Sequence, residues 1–270
     1  MNQYEQREYE SILSWKKEEP SVVAKAIGFV FKPASWLIEK VVPQKAIEGC
    51  LITFDKIAEF LTDTADIVRD GSVSNVEELQ TKSLKMSDGL ADNVHNWALA
   101  TAGVEGAVSG STGLPGIMVD IPALITISLR TIHKIGVCYG FEMKTEADRQ
   151  RVFWILAAAS ANTMAEKSSA LCSLQKISVY VAKNTWKKII EDAGKGKWIA
   201  KLVVAIKQLA TQLGINLTKR KVAQIIPVVG SGVGAAVNVA FINDVVWAAR
   251  RTYQELWLER NNKIKPTLRR

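Results

Sequence analysis

The sequence predicts an all-α protein: a compact multi-helix bundle built around a central apolar, Gly/Ala-rich helical hairpin. Three observations lead there. No strand-like alternation lasts long enough to build a sheet. Between Trp97 and Arg130 the only charged side chains are Glu105 and Asp120, and the Gly113-Leu114-Pro115-Gly116 run divides this stretch into two apolar segments. A second uncharged stretch, 22 residues at 222–243, is again rich in glycine.

Taken in order, residues 4–19 read as a charged helix ended by Pro20, and Ser21 as the cap of a second helix, V-V-A-K-A-I-G-F-V-F-K, that stops before Pro33. That second helix, between Trp15 and Trp36, reads as packed on the core in preference to lying in a membrane interface. From Gln44 to Arg69, apolar residues recur at i, i+3 and i+4 (Ile47, Leu51, Phe54, Ile57, Ala58, Leu61, Ala65, Val68), giving one amphipathic helix closed by Asp70-Gly71. A loop follows, with Ser74 or Asn75 as cap for Val76 onwards.

In the first half of the hairpin Ala98, Ala102, Gly106 and Gly110 recur every four residues, a smooth strip that another backbone can approach closely. Its second half is Ile/Leu-rich and runs on to a stop at Gly140. The pair fits both the buried centre of a soluble bundle and a unit able to enter a membrane. Thr145 with Asp148 forms a capping box for the next helix, whose 14 uncharged residues (152–165) are too few to span a bilayer. One or two helices follow over 167–192, then an amphipathic one from Trp198, then the 222–248 helix and a basic tail. Residues 1–80 are expected to be helices packing on a main domain at 81–270, in one continuous fold.

Composition narrows the function classes. The chain has 270 residues, 48% hydrophobic content and a mean hydropathy of +0.05, enough to bury a sizeable core. An acidic, polar N-terminus is unlike a signal peptide. Cys50, Cys138 and Cys172, odd in number and far apart, read as buried thiols, so a cytoplasmic, reducing location is expected. Charge is polarised: residues 1–182 hold 18 Lys/Arg against 22 Asp/Glu (−4), and residues 183–270 hold 17 against 5 (+12). In 183–221 the cations interleave with apolar residues and Trp at helical spacing, giving an amphipathic basic face. That pattern suits an anionic membrane surface and a solvated lysine face equally. The residues that would meet headgroups are Trp186, Lys187, Lys188, Lys195, Lys197, Trp198, Lys201, Lys207, Lys219, Arg220 and Lys221. No nucleic-acid fold signature accompanies them, so no nucleic acid is expected.

Conventional active-site motifs do not hold up. Gly230-Ser-Gly232-Val-Gly234-Ala235 fits G-x-G-x-x-A, but only about 35 residues of helical pattern remain for the parallel sheet a dinucleotide fold requires, and Pro227 interrupts the would-be strand. Close helix packing through Gly230 and Gly234 is the better reading. Asp92-x-x-His95 puts a carboxylate and an imidazole on one helix face, with Glu105 further along, but a di-metal bundle site needs two Glu-x-x-His pairs. No metal and no cofactor are expected. Glu105 and Asp120 must pair, protonate or face water, and Arg130 and His133 are the natural partners. The candidate polar site is therefore Asp92, His95, Glu105, Asp120 and Arg130.

The same residues carry a resemblance. A-D-x-x-H-x-W at 91–97, A-x-x-G-x-E-G-A-x-x-G at 100–110, T-G-L-P-G at 112–116, D-I-P-A-L-x-T-x-x-L-R-T-I at 120–132, Tyr139-Gly140, and I-P-V-V-G-S-G-V-G-A-A-V-N at 226–238 with Ala248-Ala249-Arg250 and Tyr253 together resemble the bacterial EcsC family from about residue 85 to 260. The resemblance implies a helical protein, cytoplasmic or membrane-associated, acting at the envelope beside an ABC transporter. It brings no catalytic role with it. The function expected is a non-enzymatic accessory docking peripherally on the cytoplasmic membrane face, with anionic lipid and a membrane protein as partners. A hydrolase using Asp92, His95 and Glu105, and a bilayer-disrupting helical hairpin, are the alternatives.

Overall fold

The computed structural model describes residues 1–20, 44–61, 64–110, 114–183, 197–221 and 230–265. Among them every regular element is helical. The expected helix at 22–32, Trp36, and the first part of the 222–248 helix lie outside the described residues.

Helix α1 spans Gln3–Lys17 and opens on a capping box: the Asn2 side chain accepts from Glu5 N (2.9 Å) and the Glu5 carboxylate accepts from Asn2 N (2.8 Å). The expected 44–69 helix is two elements, α2 (Gln44–Leu61) and α3 (Ala65–Asp70), with Gly71 at the end of α3. A periodic apolar face continues across such a break without registering it. Asn75, rather than Ser74, caps the short 3-10 turn Val76–Thr81 by accepting from Glu78 N at 3.1 Å.

The hairpin is α4 (Leu84–Gly110) and α5 (Leu114–Cys138). Gly140 ends it at φ +85°, where a Cβ would lie 2.6 Å from the Gln80 backbone nitrogen. Thr145 and Asp148 form the expected capping box of α6 (Glu146–Ser160), followed by α7 (Met164–Lys183), α8 (Lys197–Lys221) and α9 (Gly230–Arg260).

Helix α9 runs against α4, α5 and α6, and its contact with α4 is the most extensive in the molecule. The small-residue strip explains why. Ala98 and Ala102 are fully buried, and at Gly106 a Cβ would sit 2.5 Å from the Gly234 carbonyl oxygen and 2.8 Å from Ala235 Cα. The two backbones touch where both helices carry glycine, the close packing expected of Gly230-x-x-x-Gly234. Helix α2 packs on α5 and α8. Residues 118–138 of α5 are long and apolar enough to cross a membrane, but 67% of their most apolar window is buried against the other helices.

The N-terminal helix is fastened to this body. Ile12 is fully buried, Lys16 pairs with Glu255 (2.5 Å), and Arg251 pairs with Glu8 (2.8 Å). Lys167 Nζ donates to the Trp15 and Glu18 carbonyls at the C-terminal end of α1, both at 2.7 Å.

Candidate functional site

An apolar bundle holds charged side chains only where each finds a partner, so the partners define its polar sites. The five candidates do not converge. Asp92 on α4 accepts from Arg250 of α9 at 2.5 Å. His95, one turn on, shares a 3.2 Å hydrogen bond with the Asn243 side-chain oxygen and meets the Trp247 ring edge-on. Burial holds its pKa below the usual histidine value. Glu105 is exposed, not buried. Asp92 is bonded to Arg250 and Glu105 faces solvent, so among the described residues the hydrogen bond of His95 goes to Asn243 and to neither acid.

Asp120 pairs with neither Arg130 nor His133. Its carboxylate accepts from Lys221 Nζ and, at 3.0 Å, from Asn238 Nδ2, and Lys221 donates on to Asn238 Oδ1 at 2.5 Å. All three are at most 2% exposed, so α5, α8 and α9 are pinned together by one desolvated ion pair. Burial lowers the Lys221 pKa in spite of its carboxylate neighbour. Arg220 is buried beside it, donating to Asp244 (2.9 Å), to the Asn162 side chain (3.1 Å) and to the Ala159 and Ala161 carbonyls. Arg220 and Lys221 are thus removed from the expected headgroup-facing set: composition cannot show that the last turn of a basic helix faces inward. Lys219 is exposed, and Lys197, Trp198, Lys201 and Lys207 lie on α8. Trp186, Lys187, Lys188 and Lys195 lie outside the described residues.

Sequence reasoning missed Asp88. Buried on α4, it accepts from the Tyr139 hydroxyl, from Tyr4 Oη (2.7 Å) and from Gln254 Nε2 (2.7 Å), with Arg250 at 3.7 Å. Desolvation raises its pKa despite these donors. It lies one turn before Asp92, within the polar approach S-D-G-L-A-D to the hairpin, where only Asp92 stands among the sequence candidates. The available signal was the recurrence of Asp88 and Asp92 on one face of an otherwise apolar helix.

Arg130 differs from every other cation above. Its guanidinium lies over the Trp97 ring (4.7 Å to the centroid), its Nε is buried without a hydrogen-bond partner, and no carboxylate among the described residues pairs with it. It lines a cavity of about 260 Å³ between α3, α4 and α5, together with Asp66, Asp70, Asn93, Trp97 and Lys134. A larger cavity, about 460 Å³, lies between α1, α6 and α9, but its cations Lys167, Arg220 and Arg251 are committed to carbonyls and carboxylates. Among the described residues no group of three His, Cys, Asp or Glu side chains is placed to hold a metal ion.

Two buried titrations of opposite sign give a pH prediction. Burial pushes the His133 pKa down to about 4 and, with Glu255 nearby, pushes Glu259 up to about 7. As pH falls from 6.5 to 4, the unfolded chain binds a proton at His133 that the folded protein refuses, so stability is lost. As pH falls from 7 to 4.5, the folded protein binds one at Glu259 that the unfolded chain refuses, so stability is gained. Each effect amounts to about 2–3 kcal/mol at full extent, less for the partly exposed Glu259. Relative to the parent protein, His133→Gln should gain stability on acidification across the first window, and Glu259→Gln should lose it across the second. Urea midpoints measured against pH check both, and three parallel curves would refute them.

The chain is 24% identical over 204 residues, 73% of its length and 70% of the relative's, to "Uncharacterized protein YdbA" of Bacillus subtilis (strain 168). No solved structure matches the chain. The EcsC protein family matches residues 6–258, which takes in Asp88 with its partners Tyr139, Arg250 and Gln254, the Asp120–Lys221 pair and the Arg130 cavity, and the chain belongs to that family.

Proposed function

We propose that this protein docks peripherally on the anionic cytoplasmic face of a membrane and serves there as a non-enzymatic accessory to membrane proteins. The observation that carries this reading is the charge polarity: the last 88 residues hold a balance of +12, and eight cations of 183–221, besides the buried Arg220 and Lys221, fall among tryptophans and aliphatic residues. The buried Asp120–Lys221 pair favours docking over insertion of the hairpin. Inserting α5 would separate that pair inside an apolar medium.

Flotation with vesicles tests it. The protein should rise with vesicles containing about a third phosphatidylglycerol at low salt, stay behind with pure phosphatidylcholine, and be released as salt screens the headgroups. Replacing Lys197, Lys201 and Lys207 together by Glu should abolish flotation. Equal recovery with neutral and anionic vesicles would reject the reading.

A further inference from the structure

Arg130 is a half-buried cation without a carboxylate, whereas among the described residues the buried Arg151, Lys167, Arg220, Lys221 and Arg250 have polar partners. Around its cavity Lys134 is bonded to Asp66 (2.6 Å) and Arg69 to Asp70 (3.0 Å), so the local charges leave one positive charge over, on Arg130. A guanidinium lying over an indole, with its remaining N–H groups uncommitted, can receive a phosphate oxygen pair.

What lies beside the cavity narrows the ligand. Trp97 is 40% exposed, and along the same hairpin toward its turn Val104 (68%), Val108 (67%) and Val119 (73%) stand in solvent, with Met118 next to them. The Trp97–Arg130 contact sets the antiparallel register, which brings Val104 level with Ala123 and Val108 level with Val119. From Trp97 to Val108 this apolar face runs for about 16 Å of helix, close to the hydrocarbon depth of one leaflet, about 15 Å. Glu105 stands beside it, about 100° round the helix from Val104.

We propose that Arg130, lying over the Trp97 ring and flanked by Lys134, binds the phosphate of an anionic phospholipid whose acyl chain lies along the Val104–Val108–Val119 face. The site rests on the membrane reading for its biological setting, but it is built from different residues and can be tested apart from vesicles. Calorimetric titration of the full chain with dihexanoyl phosphatidic acid, below its micellar concentration, should show saturable binding at least tenfold tighter than for glycerol phosphate. Arg130→Gln should weaken the lipid at least tenfold while lowering the melting temperature by only a few degrees, since no ion pair is lost and only the contact with the Trp97 ring goes. The double variant Val104→Asn, Val108→Asn should weaken the lipid but not glycerol phosphate.

Wild-type affinity in Arg130→Gln, or no binding by the parent protein, would overturn the proposal. Equal affinity for glycerol phosphate and the lipid would do so too, by pointing to a soluble phosphate compound. The Lys197, Lys201 and Lys207 variant separates the two readings. Flotation lost with monomeric lipid binding retained supports both. Flotation by a protein whose lipid affinity ignores Arg130 keeps the membrane reading and removes the site. Lipid binding by a parent protein that never floats keeps the site and removes the membrane reading.

Discussion

Asp120→Ala is expected to destabilise the protein by about 3–5 kcal/mol, because it leaves the Lys221 ammonium uncompensated in the interior. Lys221→Met should cost a similar amount for the mirror-image reason, with Asn238 left to satisfy the carboxylate alone. The double variant Asp120→Leu, Lys221→Met is the informative one. With both charges gone, apolar side chains of comparable size replace them, and the main remaining cost is the buried Asn238 amide, which loses both partners, so the double variant should lose about 1–3 kcal/mol, well short of the sum of the two single losses. Urea denaturation of the four proteins gives the coupling. Additive losses in the double variant would mean that the two side chains act separately and that the pair does not hold α5 to α8 and α9.

That pair also marks how far the sequence could be read. The need for a partner at Asp120 was legible, because a lone carboxylate between apolar helices cannot stay unpaired. The partner's identity was not. Arg130 and His133, on the same helix, are near in sequence, whereas Lys221 is 101 residues away and looked like part of a basic surface run. Local periodicity reports which face of a helix is apolar, but not which distant helix end turns in to meet it. Glu105 shows the converse: apolar neighbours in sequence suggested burial, yet α4 toward its C-terminal end is covered mainly on the Ala102–Gly106 side. The glycine strip itself was readable because close backbone contact depends on the absence of side chains, a property each residue carries by itself. The two capping boxes were equally local, but only the one at Thr145 was read in advance. The break between α2 and α3 escaped because an apolar stripe with helical period fits one long helix and two short ones alike.

Asp88→Ala should be the most damaging change on the opposite side of α4, with a loss of about 3–5 kcal/mol. The carboxylate gathers four donors from three separate parts of the chain: Tyr4 on α1, Tyr139 at the end of the hairpin, and Gln254 with Arg250 on α9. Truncation strands the fully buried Tyr139 hydroxyl, takes from Gln254 its shortest acceptor, leaving it Glu8 and Arg251, and leaves Arg250 with Asp92 as its one carboxylate. Asp88→Asn preserves the volume but places an amide donor against donors. Because the hydroxyls can rotate and Gln254 can flip, its loss should be smaller, about 1–2 kcal/mol. Tyr4→Phe removes one half-exposed donor and should cost about 1 kcal/mol. The order Ala, then Asn, then Tyr4→Phe distinguishes a shared junction from a set of independent bonds. If Tyr4→Phe were as damaging as Asp88→Ala, the stabilisation would lie in the docking of α1 alone. If Asp88→Ala fell below about 1 kcal/mol, water would be replacing the carboxylate, and the junction would not be the closed interior site that its burial describes.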